Sequence, residues 1–308
     1  MSTIKIEDVA FVRFRAPDLS EMRRFLEDFG LVIVDATDAR LVARGCGASP
    51  VTHITERGNA GFLSVGFRAG SMEDLQALAR AEGVAVEDFD APGGGCRVVL
   101  HDPDGHSIEV VAGQSPAAQL AVPPSQPWNR ADMRDRVRAV KRIAAGPAHV
   151  VRLGHVVLNV SNFRASERWY KDRFGFITSD EIQMSPEFSI GAFFRCDRGD
   201  TPTDHHTLFL VQSPKGSGFN HAAFEVADID DLMRGHQRLK DTGRHAEWGV
   251  GRHVLGSQVF DYWRDPWGHT LEHWTDGDLF TVADGSNTAT LQDLFAVQWG
   301  PSAPPTMA

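Results

Sequence analysis

The sequence predicts an α+β fold arranged as two tandem, duplicated domains. Three segments recur in the same order along the chain, and each reads as a strand followed by a helix or as two strands around a turn. A chain of 308 residues, 42% of them hydrophobic, is long enough to bury a sizeable core in each of two such domains.

Residues 9–31, VAFVRFRAPDLSEMRRFLEDFGL, share a pattern with residues 154–176, GHVVLNVSNFRASERWYKDRFGF. Both run from an alternating strand through a polar Asp18 or Asn162 into an amphipathic helix. Both end on an aromatic-Gly-apolar stop, Phe29-Gly30-Leu31 and Phe174-Gly175-Phe176. Residues 61–83 answer residues 219–243: a strand, a helix opened by Ser71 or Asp228, and a glycine to end it. Residues 98–111 answer residues 261–274, and both copies carry Asp-Pro-x-Gly-His between two short strands. In the second copy these strands are expected over 258–264 and 269–274, with Asp265 to Gly268 as a turn carrying Pro second and Gly fourth. Each copy thus splits into two units of strand, helix and several strands, and four such units fit the chain.

Between the copies, 113–150 is a linker that opens rich in Pro, Ala, Gln and Ser and continues with a basic stretch from Arg130 to Arg142, read as a short helix packed between the domains with its charges on a solvated surface. The Pro-rich tail from 277 is expected to fold back over a domain. The formal net charge of −10 argues against a nucleic-acid or anionic-membrane partner. Cys46, Cys96 and Cys196 are odd in number and have no CxxC spacing, as in a reduced, cytoplasmic protein. The N-terminus has no apolar leader, and no run of 18 apolar residues exists to span a membrane.

The chemistry is expected in the second copy. His155 lies on its first strand, His221 on the strand after its midpoint, and Glu272 on its last strand, where alternation puts Thr270, Glu272 and Trp274 on one face and Leu271 on the other. Taken singly, each histidine reads as a core residue satisfied by its neighbours. The set reads differently, because two imidazoles and a carboxylate are the donors of a metal site that leaves positions open. The first copy acts as an internal control: it has Phe11 and Ser64 where the second has His155 and His221, and only Glu109 answers Glu272. His206, in DHHTLFLV, His253, in the Gly-rich loop GVGRHVLGS, and Tyr262, on the strand beside Glu272, surround the proposed site. A histidine moves protons near neutral pH, and a tyrosine hydroxyl can donate to a ligand oxygen. Taken alone, His206 reads as an ordinary strand or turn histidine beside an exposed His205. Trp248, Trp263, Trp267 and Trp274 offer an apolar wall, although such residues more often belong to a core.

With these residues in place, and above all GRHVLGSQVFDYWRDPWGHTLEHW, the chain resembles the type I extradiol ring-cleavage dioxygenases of the vicinal oxygen chelate superfamily. The resemblance runs over nearly the whole length. It implies that each domain is a pair of βαβββ modules forming a partly open β-barrel: 1–112 without metal, 113–150 linking, 151–276 holding the metal, and 277–308 packing on the catalytic domain. It implies His155, His221 and Glu272 as ligands of Fe(II), with Mn(II) as the alternative ion. It implies His206 as the acid–base residue, with His253 and Tyr262 lining the site. The reaction implied is cleavage of a substituted catechol or hydroquinone-type monocyclic ring by O2 in a homo-oligomer. A 4-hydroxyphenylpyruvate-type dioxygenase shares fold and ligands, but that class has a longer chain and lacks the His206, His253 and Tyr262 trio. A glyoxalase-like isomerase needs ligands from paired modules, against Phe11 and Ser64. An aromatic- or antibiotic-sequestering protein of the superfamily would be a single short domain.

Overall fold

The computed structural model describes residues 2–306, so Met1, Met307 and Ala308, the extremes of the first-domain and tail spans, lie outside the described residues. The first half runs β1 (Ile6–Ala16), α1 (Leu19–Phe29), β2 (Val32–Ala36), β3 (Arg40–Arg44), β4 (His53–Arg57), then β5 (Gly61–Ala69), α2 (Met72–Glu82), β6 (Glu87–Asp88), β7 (Cys96–His101) and β8 (Ser107–Ala112). The second runs β9 (Val150–Val160), α3 (Phe163–Phe174), β10 (Ile177–Ser185), β11 (Phe188–Arg195), β12 (Thr203–Asp204), β13 (Leu208–Gln212), then β14 (Gly218–Val226), α4 (Ile229–Asp241), β15 (His245–His253), β16 (Val259–Arg264) and β17 (Thr270–Thr275). The tail adds β18 (Leu279–Phe280), β19 (Asn287–Thr290), α5 (Leu291–Phe295) and β20 (Val297–Trp299).

These strands make an eight-stranded sheet, β2-β3-β4-β1-β5-β8-β7-β6, and a ten-stranded one whose middle, β10-β11-β13-β9-β14-β17-β16-β15, repeats it. Each sheet is two βαβββ units joined along their first strands, β1 against β5 and β9 against β14, and curled into a half-barrel. The local signals fold as their chemistry dictates. Asp18, Ser71, Asn162 and Asp228 each accept backbone N–H bonds at a helix start, and Gly30, Gly83 and Gly175 adopt left-handed backbone at helix ends. On α1 the buried residues Leu19, Met22, Phe25, Leu26 and Phe29 follow helical spacing and pack beneath the sheet. Both Asp-Pro-x-Gly-His turns close the same way. The side chain of Asp102 or Asp265 accepts the N–H groups two and four residues on and the imidazole of His106 or His269, while Gly105 and Gly268 take positive φ.

One large cluster of buried apolar residues runs through both halves. At its centre Phe29 stacks on His273 at 3.9 Å, and His273 Nε2 bonds the Phe29 carbonyl at 2.7 Å. Around it, Arg238 and Arg244 grip Asp28, and Arg173 grips Glu82.

One expectation needs correction. The basic stretch from Arg130 to Arg142 forms no helix: residues 113–149 carry no regular element and run mostly exposed across the surface, because no apolar face there repays the ordering of a helix. The tail does fold back, and it acquires structure in doing so. β19 extends one edge of the ten-stranded sheet against β10, β20 extends the other against β15, and β18 pairs with β12. Both strand edges are thereby covered, which removes open hydrogen-bonding groups that would otherwise invite another chain.

Candidate metal centre

The site follows from register. His155 on β9 pairs with Ala223, which on its other side pairs with Glu272 of β17, and His221 stands two residues before Ala223 on β14. The period-2 alternation of three neighbouring strands therefore turns all three side chains into the same concave face. His155 Nε2 lies 3.3 Å and His221 Nε2 3.5 Å from Glu272 Oε2. The three donor atoms lie within 4.8 Å of one another.

A divalent cation suits this cluster. Glu272 is completely buried, yet neither of its oxygens accepts a hydrogen bond, a costly condition for a carboxylate without a compensating cation. His221 Nδ1 bonds Asn220 Oδ1 at 2.8 Å, and Asn220 is held in turn by Asn159, so the donor nitrogen of His221 points at the cluster. Burial, reinforced by His155, keeps the His221 imidazole well below its usual pKa and hence neutral, the form that offers a lone pair.

The first half shows what the same register does without the histidines. Phe11 and Glu109 pair with Gly66 as His155 and Glu272 pair with Ala223, and Ser64 holds the place of His221. Glu109 is also buried but fully partnered: Arg13 Nε at 2.8 Å, Arg13 Nη2 at 3.1 Å, Arg97 Nη1 at 2.9 Å and Ser64 Oγ at 2.5 Å. Burial works against ionisation there, but Arg13, Ser64 and Arg97 together hold Glu109 below the usual carboxylate range.

Around the cluster, His206 stacks obliquely on His155 with ring centres 4.1 Å apart. Burial and the surrounding histidines, His155 first, hold it well below its usual pKa. His253 is the last residue of β15, so it lies on a strand and not in a loop, and its Nε2 meets the Tyr262 hydroxyl at 3.0 Å. Burial lowers the His253 pKa to about 4, against the pull of Glu272. Burial and then the Glu272 charge raise the Tyr262 hydroxyl well above 10. Tyr262 pairs directly across the strands with Glu272.

A cavity of about 420 Å³ opens onto these residues. Of the four tryptophans, only Trp248 lines it; Trp263 and Trp274 are buried, and Trp267 packs against the core. The aromatic wall is instead Phe193 on β11 and Phe209 on β13, stacked at 4.0 Å, with Phe193 edge-on to His206 at 4.7 Å. Leu291, Leu294 and Phe295 of the tail close another side. His205 is not exposed. It is buried beside His206, its Nε2 2.7 Å from Asp180 Oδ2 and its Nδ1 3.1 Å from His206 Nδ1. Phe193, Phe209, Asp180 and the tail residues escape a reading of the sequence because each is ordinary in its own strand or helix. Only the pairing of distant strands brings the phenylalanines and the tail to the cavity and sets Asp180 behind it against His205.

Residues 152–273 match the family model of the Glyoxalase/Bleomycin resistance protein/Dioxygenase superfamily. Metapyrocatechase 2 of Cupriavidus necator is 30% identical over 317 residues, covering 97% of this chain and 90% of that protein. The iron-dependent extradiol dioxygenase of Rhodococcus jostii (strain RHA1) is 25% identical, covering 89% and 90%. Among solved structures, the Mn(II)-bound glyoxalase from Novosphingobium aromaticivorans superposes with a TM-score of 0.79 at 23% identity, covering 99% of this chain and 95% of that one. The 2,3-dioxygenase LapB from Pseudomonas sp. KL28 superposes at 0.77 and 18% identity, covering 95% and 100%. At such identities these two likenesses establish the fold alone. The chain belongs to the extradiol ring-cleavage dioxygenases of this superfamily, and it is an oxidoreductase. No helix among the described residues is long and apolar enough to cross a membrane.

Proposed function

We propose that this enzyme cleaves the ring of a substituted, monocyclic catechol- or hydroquinone-type diol with O2, using Fe(II) held by His155, His221 and Glu272, and that it works as a cytoplasmic homo-oligomer. The observation that carries the reading is the buried Glu272 carboxylate, which accepts no hydrogen bond, held between two imidazoles that line an aromatic-walled cavity. Bound there, Fe(II) supplies a centre at which both substrate oxygens and O2 meet and exchange electron density; Mn(II) accepts the same donors.

The chain's own residues do the rest. Phe193 and Phe209 hold the substrate ring by stacking and exclude water from its face. His206, neutral because it is buried, takes the proton that a bound hydroxyl loses and returns it to the product. The Tyr262 hydroxyl, kept protonated, donates a hydrogen bond to a substrate oxygen, with His253 holding that hydroxyl in place. The apolar side made by Leu291, Leu294 and Phe295 takes the ring substituent. The test is anaerobic loading with Fe(II), followed by a panel of catechols and hydroquinones assayed for O2 uptake and a yellow ring-fission product. Stoichiometric uptake with product is expected. Turnover by metal-free enzyme, or no turnover of any diol by the loaded enzyme, would overturn the proposal.

A further inference from the structure

Behind the cavity wall, a chain of buried polar groups that the reaction as described does not use ends at His206. Asp180 on β10 meets His205, and His205 meets His206 through the two Nδ1 atoms. The pieces are fixed in place. The His205 backbone N–H bonds Asp278 at 2.9 Å, and its carbonyl accepts from Ser179 Oγ at 2.6 Å. Its ring packs between Phe193 and Phe280 and against Gly256, where a Cβ would come within 3.1 Å of Nδ1.

If the His205 ring carries a single hydrogen, the donors and acceptors along this chain leave one consistent arrangement. A carboxylate only accepts, so Nε2 of His205 carries the hydrogen that reaches Asp180. A neutral His205 then has a lone pair at Nδ1, and Nδ1 of His206 must supply the hydrogen between them. His206 is left with its lone pair on Nε2. We propose that Asp180, acting through His205, fixes His206 in the Nδ1–H tautomer, so that Nε2 is the base presented to the cavity; Asp180 and His205 are positioning residues. For the reaction this rests on the functional reading above: the substrate O–H bond breaks, an Nε2–H bond forms, and the imidazolium charge is shared through His205 with Asp180.

Asp180→Asn separates this role from packing, because it keeps shape and replaces one accepting oxygen by a donating NH2. With that NH2 facing Nε2 of His205, the His205 hydrogen moves to Nδ1 and His206 takes the Nε2–H tautomer, without a base toward the cavity. Asp180→Ala imposes neither arrangement. His205→Gln retains both, since its amide can donate to Asp180 and accept from His206. Two measurements test the chain. In long-range ¹H–¹⁵N spectra of metal-free, ¹⁵N-histidine-labelled protein, with His206 assigned by its loss in His206→Asn, the wild type should show Nδ1–H at His206 and Asp180→Asn should show Nε2–H. In Fe(II)-loaded enzyme, Asp180→Asn should lower kcat about a hundredfold with KM and iron content unchanged, Asp180→Ala should lose less, and His205→Gln should stay near wild type. A wild-type Nε2–H tautomer, or an Asn variant more active than the Ala variant, would overturn the proposal. The spectra do not depend on turnover. The expected tautomers in a protein that cleaves no diol would therefore uphold the chain and reject the functional reading instead.

Discussion

Glu109→Gln tests the division of labour between the two halves, because it changes one atom of a buried cluster that occupies the place of the metal site. Glu109 accepts from Arg13 Nε and Ser64 Oγ on one oxygen and from Arg13 Nη2 and Arg97 Nη1 on the other. A glutamine keeps the first pair and turns an NH2 group toward the second, so two charge-assisted bonds are lost. Each such bond contributes about 1.5–3 kcal/mol. The arginines retain Glu56 and Glu87 as partners, which places the net cost near the lower end, about 3 kcal/mol in all. The variant should therefore show a urea midpoint clearly below wild type at an unchanged slope. Its iron content, kcat and KM should match wild type at temperatures where both are folded. A variant of undiminished stability that loses metal or turnover would refute the reasoning, since the first half would then take part in the site.

Three other outcomes are expected. His221→Ala should fold, as judged by circular dichroism, yet lose most of its bound metal on gel filtration, because it removes one of three donors at the edge of the cavity. His206→Asn should keep its metal and bind diol anaerobically but turn over at least roughly a hundredfold more slowly, the usual contribution of a placed acid–base group; unchanged turnover would move the proton chemistry to His253. His53, buried in the first half, has its pKa lowered by desolvation from 6.5 to about 3. The unfolded chain thus binds a proton that the folded one refuses between those values, and stability falls as pH drops below 6.5, by up to about 1.4 kcal/mol per pH unit. His53→Gln should show a shallower loss of stability between pH 6.5 and 4, measured by urea unfolding.

Much of this is legible in the sequence, and the reason is periodicity. The duplication, the helix caps and the Asp-Pro-x-Gly-His turns are local signals that fold the same way in both halves. The asymmetry between Phe11, Ser64 and Glu109 on one side and His155, His221 and Glu272 on the other singles out the cluster without knowledge of any contact. What local signals cannot carry is what sits across a strand pair. Phe193 and Phe209 look like any alternating strand residues, and the tryptophans beside Glu272 look the better wall. Register turns Trp263 to the opposite face, and Trp274, on the same face as Glu272, is buried against Gly154 instead of lining the cavity. His205 looks exposed because its neighbours in sequence are polar; its burial comes from Phe193, Phe280 and Gly256, which lie far away along the chain. The basic linker misleads for the opposite reason: its charge spacing suits a helix, but no neighbour gives that helix a face to bury.

The tail makes one segment answerable for two separate properties. Strands β19 and β20 extend opposite margins of the larger sheet, and α5 between them lines the cavity. Detaching this segment would bare the strand edges of β10 and β15 and, in the same movement, open the side of the cavity formed by Leu291, Leu294 and Phe295. Resistance to self-association and enclosure of the site therefore rise and fall together.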